Sequence, residues 1–238
     1  MRTAVILQPQ YFPWAGVFEQ INLADVYIHL DDVQLPQGRS FCSRVQLKTQ
    51  RGQIWLTVPI IRNGLQIIKD TKTDESQPWR KNHLIALRES LKGAPFAEDA
   101  VAIAADTLDL KSDYLSDICI FGIEQIVKYL NINVEFGRSS ELISQGLKDD
   151  RIISLLNSLS AEAYVTGHGA KKYMDHEKMD RAGKVVEYMD YNLSQYPQLH
   201  GEFTPYVTFL DAIANLGPKA SSILVSQSIP WRKALGIE

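Results

Sequence analysis

Ala4-Val5-Ile6-Leu7-Gln8-Pro9-Gln10-Tyr11-Phe12-Pro13-Trp14-Ala15-Gly16-Val17-Phe18 joins an apolar run to a two-proline turn and the opening of an amphipathic segment. Residues 2–8 are expected to form a buried strand. Apolar residues at Trp14, Val17, Phe18, Ile21 and Leu23/Ala24 recur at helical spacing and predict a helix over 14–24. Val26 to Leu30 reads as a second strand that ends in Asp31-Asp32. Strand, helix and strand within about thirty residues make a βαβ unit, which implies parallel pairing. The expected class is therefore α/β, with a mainly parallel, Rossmann-like sheet.

Beyond Asp32 the pattern changes. Arg44 to Lys48 alternates, Gln50-Arg51-Gly52-Gln53 has turn chemistry, and Ile54 to Ile60 is rich in strand formers. Asn63-Gly64 marks another turn before Leu65 to Ile68. Residues 33–73 thus read as an inserted antiparallel β element, and 78–131 as a helical segment. That segment holds helices from Pro78-Trp79 to about Lys92, from Phe96 to Asp106, and from Ser112 to Leu130. Alternation then returns, with strands at 134–136, 163–166 and 185–189 and helices at 149–159, 170–182 and 204–216. The whole chain, 1–238, is expected to form one α/β domain carrying these insertions.

Composition narrows the function. The chain is 45% hydrophobic and 22% charged with a net charge of −3, so nothing global calls for nucleic acid or an anionic membrane. Cys42 and Cys119 are the only cysteines, far apart and without metal-ligand spacing, which argues against a structural disulfide or zinc site. Met1-Arg2-Thr3 runs directly into a strand, and no run of about 18 apolar residues occurs. A cytoplasmic protein without membrane insertion is expected. Nucleophile-elbow, P-loop and Gly-x-Gly-x-x-Gly patterns are missing, and His29, His83, His176 and His200 have no ligand spacing, so no metal is assigned and no cofactor is named.

The opening motif resembles that of the WbqC-like protein family, whose members begin with Gln-Pro-x-[Tyr/Phe]-Phe-Pro-x-x-Gly-x-Phe followed by Ala-Asp and Asp-Asp-Val-Gln. Here these are Gln8 to Phe18, Ala24-Asp25 and Asp31-Asp32-Val33-Gln34. The resemblance continues at Trp55-Leu56-Thr57-Val58-Pro59, Trp79-Arg80-Lys81-Asn82-His83, Ala94-Pro95-Phe96, Tyr164 to Ala170, Tyr196-Pro197-Gln198, Gly201-Glu202-Phe203 and Leu210-Asp211. It implies a role beside surface-polysaccharide and amino-sugar genes. Many members carry Asn-Arg at Ser43-Arg44 and another residue at His168, so neither Ser43 nor a family-wide role for His168 follows from it.

Loops after strands of parallel sheets converge on one edge, where ligands bind. Gln8 and Gln10 can donate to and accept from neutral polar groups, and Tyr11 and Trp14 can stack a sugar or base face. The competing reading packs these aromatics beneath the first helix. Asp31 or Asp32 is a candidate general base, with the other structural, because successive strand residues face opposite ways. Arg44 is a candidate phosphate ligand, whereas Arg39 and Lys48 read as surface charge. Gly167 and Gly169 would let an anion approach backbone N–H groups, with His168 between them as acid or base. Gln198 and Glu202 are candidates to complete the pocket.

The first loop is also similar to that of Rossmann-like nucleotidylyltransferases, with Trp14-Ala15-Gly16-Val17 where they carry His-x-Gly-His; the glycine remains and the histidines do not. The expected function is a transferase acting on a small polar metabolite, moving an acyl or aminoacyl group to an amine such as an amino sugar. Nucleotidyl transfer and non-catalytic binding of a sugar or nucleotide are the alternatives. The expected partner is a nucleotide-linked sugar or an activated acyl donor, with nucleic acid entering only as a tRNA donor.

Overall fold

Unbroken apolar runs of four or five residues become central strands because both of their faces are covered. In the computed structural model, which describes residues 1–237, this holds for β1 (Thr3–Leu7). α1 (Ala15–Asn22) and β2 (Val26–His29) complete the expected βαβ unit, with Ala4 opposite Val26 and Leu7 opposite His29 in parallel register. β3 (Arg44–Thr49) and β4 (Gly52–Thr57) form a separate antiparallel hairpin. Three helices follow, α2 (Trp79–Leu91), α3 (Ala97–Leu108) and α4 (Leu115–Leu130). Asn131 ends α4 in the left-handed conformation at φ 55°, its N–H returning to the last turn.

The chain then adds β5 (Glu135–Arg138), α5 (Asp149–Ser158), β6 (Ala163–Thr166), α6 (His176–Arg181), β7 (Val185–Asp190), α7 (Phe209–Leu216), β8 (Gln227–Pro230) and α8 (Trp231–Ala234). The main sheet has six strands in the order β5-β2-β1-β6-β7-β8, parallel except for β8 against β7. This is the doubly wound order, and its reversal point lies between β1 and β6.

Strand alternation divides the core. Val5, Tyr27, Val165 and Met189 face α1, the helices α2–α4 and α7. Ala4, Ile6, Val26, Ile28, Tyr164, Val186 and Tyr188 face the other way, onto Leu155 and Leu156 of α5, Met179 of α6 and Trp231 of α8. Each fully buried Val, Ile, Leu or Met side chain among these contributes about 1.5–3 kcal/mol.

The elements differ from the sequence expectations where capping or pairing intervenes. The helix expected over 170–182 is split into a 3₁₀ turn, His168–Lys172, and α6, because Asp175 caps α6 by accepting from the Lys178 N–H. The helix expected from Thr204 begins only at Phe209. Residues before it are drawn to the hairpin by the Thr208 N–H, which donates to the Gln46 carbonyl at 2.9 Å. β4 stops at Thr57, short of Ile60, since Pro59 has no N–H to continue a ladder. Leu65 to Ile68 forms only a bridge from Ile67 to Gln34 and a 3₁₀ turn. β8 and α8 were not expected, because Gln227-Ser228-Ile229-Pro230 carries no apolar alternation.

The hairpin is fastened to the sheet by Tyr11 and His83. Tyr11 N–H donates to the Phe41 carbonyl at 3.0 Å, and its hydroxyl meets His83 Nδ1 at 2.9 Å. His83, on α2, also hydrogen-bonds the Thr57 backbone. Burial pushes the His83 pKa down to about 4, the Thr57 contact opposing that shift. An unfolded histidine titrates near 6.5, so between these values the unfolded chain binds the extra proton. The stability gained from a neutral His83 is therefore complete above about pH 6.5 and lost as pH falls towards about 4. Denaturant unfolding across this window should lose roughly 3 kcal/mol through this group. His83→Gln should flatten that slope, and an unchanged slope would remove His83 from the account.

Candidate functional site

The reversal point sets β1 and β6 side by side, so the loop after Leu7 and the turn at Gly167-His168 leave the same edge of the sheet. Phe12 turns the first loop sharply. Its φ is 41°, a left-handed value that a bulky residue rarely adopts, and the following Pro13 disfavours helical backbone there. Its ring is fully buried, and α4 meets it with Gly122, where an added Cβ would lie 3.5 Å from the Phe12 ring and 3.1 Å from the Thr107 methyl.

One residue past the turn, Trp14 lies over the first turn of α1. A Cβ on Gly16 would sit 2.2 Å from the indole carbon Cζ2, so only glycine leaves the ring in that place. Trp14 then contacts Tyr206 and Tyr191, with ring centroids 5.5 and 5.2 Å away.

The hairpin supplies the opposite wall. Leu56 and Val58 are buried, which turns Trp55 outward by strand alternation. The Arg44 guanidinium stacks 3.9 Å over the Trp55 ring, and Phe41 packs against the same ring at 6.1 Å. The result is a cleft of about 430 Å³ whose walls are Trp14, Tyr206, Phe41 and Trp55. Polar atoms come from Gln10, Gln46 and Arg44. Arg44 Nε is buried without a hydrogen-bond partner among the described residues. Aromatic faces with a few placed donors suit a ring-bearing polar ligand, and a free guanidinium suits an anionic group on it.

Of the residues expected from sequence, Gln10, Tyr11, Trp14 and Arg44 line this cleft. Gln8, Asp31, Asp32, Gly167, His168, Gly169, Gln198 and Glu202 do not. The Gln8 amide oxygen accepts from the Cys42 thiol at 3.8 Å, behind the loop. Asp31 is buried and accepts from Ser140 N and Ser140 Oγ at 3.0 and 2.8 Å, while its own N–H donates to Ser139 Oγ at 3.2 Å. Asp32 pairs with Arg151 at 2.5 Å and accepts from Ser139 Oγ. The two carboxylates thus hold the turn after β5. Gln198 is spent on a second network, accepting from Lys48 Nζ and donating to the Asp211 carboxylate. Burial raises the Asp211 pKa, against the opposing hydrogen bonds from Gln198 and Tyr196 and the nearby charge of Lys48. Lys48 Nζ also donates to the Gly201 and Glu202 carbonyls, so Glu202 takes part through its backbone.

His168 stands one ring away from the cleft. It meets Tyr191 edge-on at 5.5 Å, and Tyr191 touches Trp14. Its Nε2 lies 2.6 Å from the Met189 carbonyl, which can only accept, so Nε2 carries the proton and Nδ1 of the neutral ring keeps its lone pair. Phe41, Gln46, Trp55 and Tyr206 were missed by sequence reasoning. For Trp55 a signal existed in the alternation of Leu56 and Val58, whereas Tyr206 lies in a loop with no periodicity to read.

The molecule is thus an α/β protein of doubly wound topology with an aromatic cleft between the loop after β1 and the antiparallel hairpin. Over residues 8–223 it matches the WbqC-like protein family, and it belongs to that family. It is 32% identical over 228 residues to the uncharacterized protein Rv1507c of Mycobacterium tuberculosis, covering 94% of this chain and 98% of that one. No solved structure matches it.

Two substitutions separate the cleft from its scaffold. Gly16→Ala should push the Trp14 indole off α1 and red-shift its emission while helical circular dichroism is retained; an unaltered emission spectrum would show that the ring tolerates the Cβ. Asp31→Ala removes a buried carboxylate that accepts from the Ser140 N–H and Oγ and should cost on the order of 1–3 kcal/mol in denaturant unfolding. Unfolding at the wild-type midpoint would mean that the carboxylate is dispensable to the fold.

Proposed function

We propose that this protein is a group transferase acting on a small polar metabolite, with an amine such as an amino sugar as acceptor and an acyl or aminoacyl group as cargo, in surface-polysaccharide or specialised-metabolite synthesis. The observation that carries the reading is the aromatic cleft, where Trp14 and Trp55 supply flat faces for a sugar ring and Gln10, Gln46 and Arg44 supply directed polar atoms. His168 is assigned as general base. Its Nδ1 lone pair would accept a proton from an ammonium group that projects from the cleft past Trp14 and Tyr191; the freed nitrogen pair attacks the acyl carbon, and the bond from that carbon to the donor's activating group breaks as that group leaves. Asp31 and Asp32 are assigned to structure in this reading, since their oxygens are already committed to Ser139, Ser140 and Arg151.

Nucleotidyl transfer receives less support, because the Trp14 ring covers the start of α1 where a transferring phosphate would need open N–H groups. A non-catalytic binding role is favoured by one observation: no carboxylate or imidazole lines the cleft itself.

Turnover on an amino-sugar acceptor with an activated acyl donor tests the assignment. His168→Gln should lower kcat by about 10²-fold or more, the scale of general-base help, at unchanged melting temperature. Trp14→Ala should act mainly on KM. Acceptor binding that depends on Trp14, without turnover for any acyl or aminoacyl donor, would make the chain a binding protein.

A further inference from the structure

A second cavity of about 420 Å³ lies on the far side of Arg44, lined by Arg39, Arg44, Arg62, Ser40, Ser43 and the Thr57–Ile60 segment. Arg44 is the wall that it shares with the aromatic cleft. None of the three arginines has a carboxylate partner among the described residues. In a chain with 28 acidic and 25 basic side chains, three unpaired guanidiniums around one hollow do not follow from a surplus of positive charge. The hollow also has fixed geometry. Arg62 Nη2 donates to the Gly38 carbonyl at 3.4 Å, Ser40 Oγ accepts from the Cys42 N–H, and the Val58 N–H donates to the Ser43 carbonyl.

Guanidinium forks match phosphate oxygens, and several of them together suit more than one phosphate group. The neighbouring cleft offers flat aromatic faces instead. A ligand that spans Arg44 therefore carries a polyanionic segment next to a ring.

Resting on the cleft reading under Proposed function, we infer that the ligand class is a nucleoside-diphosphate-linked sugar, with its diphosphate against Arg39, Arg44 and Arg62 and an adjoining ring between Trp14 and Trp55. Arg44 serves both halves, stacking on Trp55 with one face while its edge reaches phosphate oxygens.

Binding by the full chain is measured by calorimetry with inorganic pyrophosphate and with UDP-, dTDP- and GDP-linked N-acetylglucosamine or glucose. Pyrophosphate should bind, weakened about tenfold by Arg62→Gln or Arg39→Gln and unaffected by Trp14→Ala. At least one nucleotide sugar should bind more tightly than pyrophosphate and be weakened by both kinds of substitution. Affinities indifferent to Arg39→Gln and Arg62→Gln overturn the inference, as does pyrophosphate binding with no nucleotide sugar bound. In either case, binding of glucosamine or a nucleotide sugar that still depends on Trp14 leaves the cleft reading standing. Loss of that dependence overturns the cleft reading as well.

Discussion

The turn at Phe12 is the constraint on which the site depends. A left-handed bulky residue before proline stores about 1–3 kcal/mol of backbone strain, and burial of the Phe12 ring against Gly122 offsets it. The turn lets four consecutive residues face four partners. Tyr11 reaches the hairpin and α2, Phe12 enters the core at α4, the Pro13 carbonyl accepts from Phe209 at the start of α7, and Trp14 walls the cleft. A relaxed turn would keep the strand and the helix but scatter these four directions.

Polar and aromatic side chains have exchanged the roles that their chemistry first suggests. Asp31 and Asp32 look reactive, Gln198 looks like a pocket residue and Lys48 like surface charge, yet all four are satisfied by internal partners, as buried charges and amides must be. Trp14, Trp55, Phe41 and Tyr206 look like core, yet they leave a face open to solvent and enclose the cleft. The cleft therefore presents flat surfaces and one guanidinium whose buried Nε has no partner among the described residues.

The sheet was legible because its signal is local. Apolar runs at 3–7, 26–29 and 163–166 declare central strands, and the short link through α1 forces parallel pairing. Helix limits were lost where a side chain several residues away decides them, as Asp175 does for α6 and the Gln46 carbonyl does ahead of α7. The cleft was half legible. Gln10, Tyr11 and Trp14 share one loop whose place at a strand end could be read, and Arg44, among the cations beside the inserted element, reads as a phosphate ligand. Tyr206 and Phe41 join them only through tertiary pairing, which leaves no periodic trace in the chain. The engagement of Asp31 was equally hidden, since Ser139 and Ser140 lie more than a hundred positions away.

The hydrogen bond from Thr208 to Gln46 joins stretches of chain separated by most of the sequence, and the cleft walls are distributed in the same way. Sites of such high contact order form after loop closure has already been achieved elsewhere. No contiguous fragment of this protein carries the cleft, so the cleft appears only with the completed tertiary structure. A nascent chain released before Tyr206 would hold its first loop and hairpin with one wall of the pocket missing, so the pocket is closed only when synthesis is nearly finished.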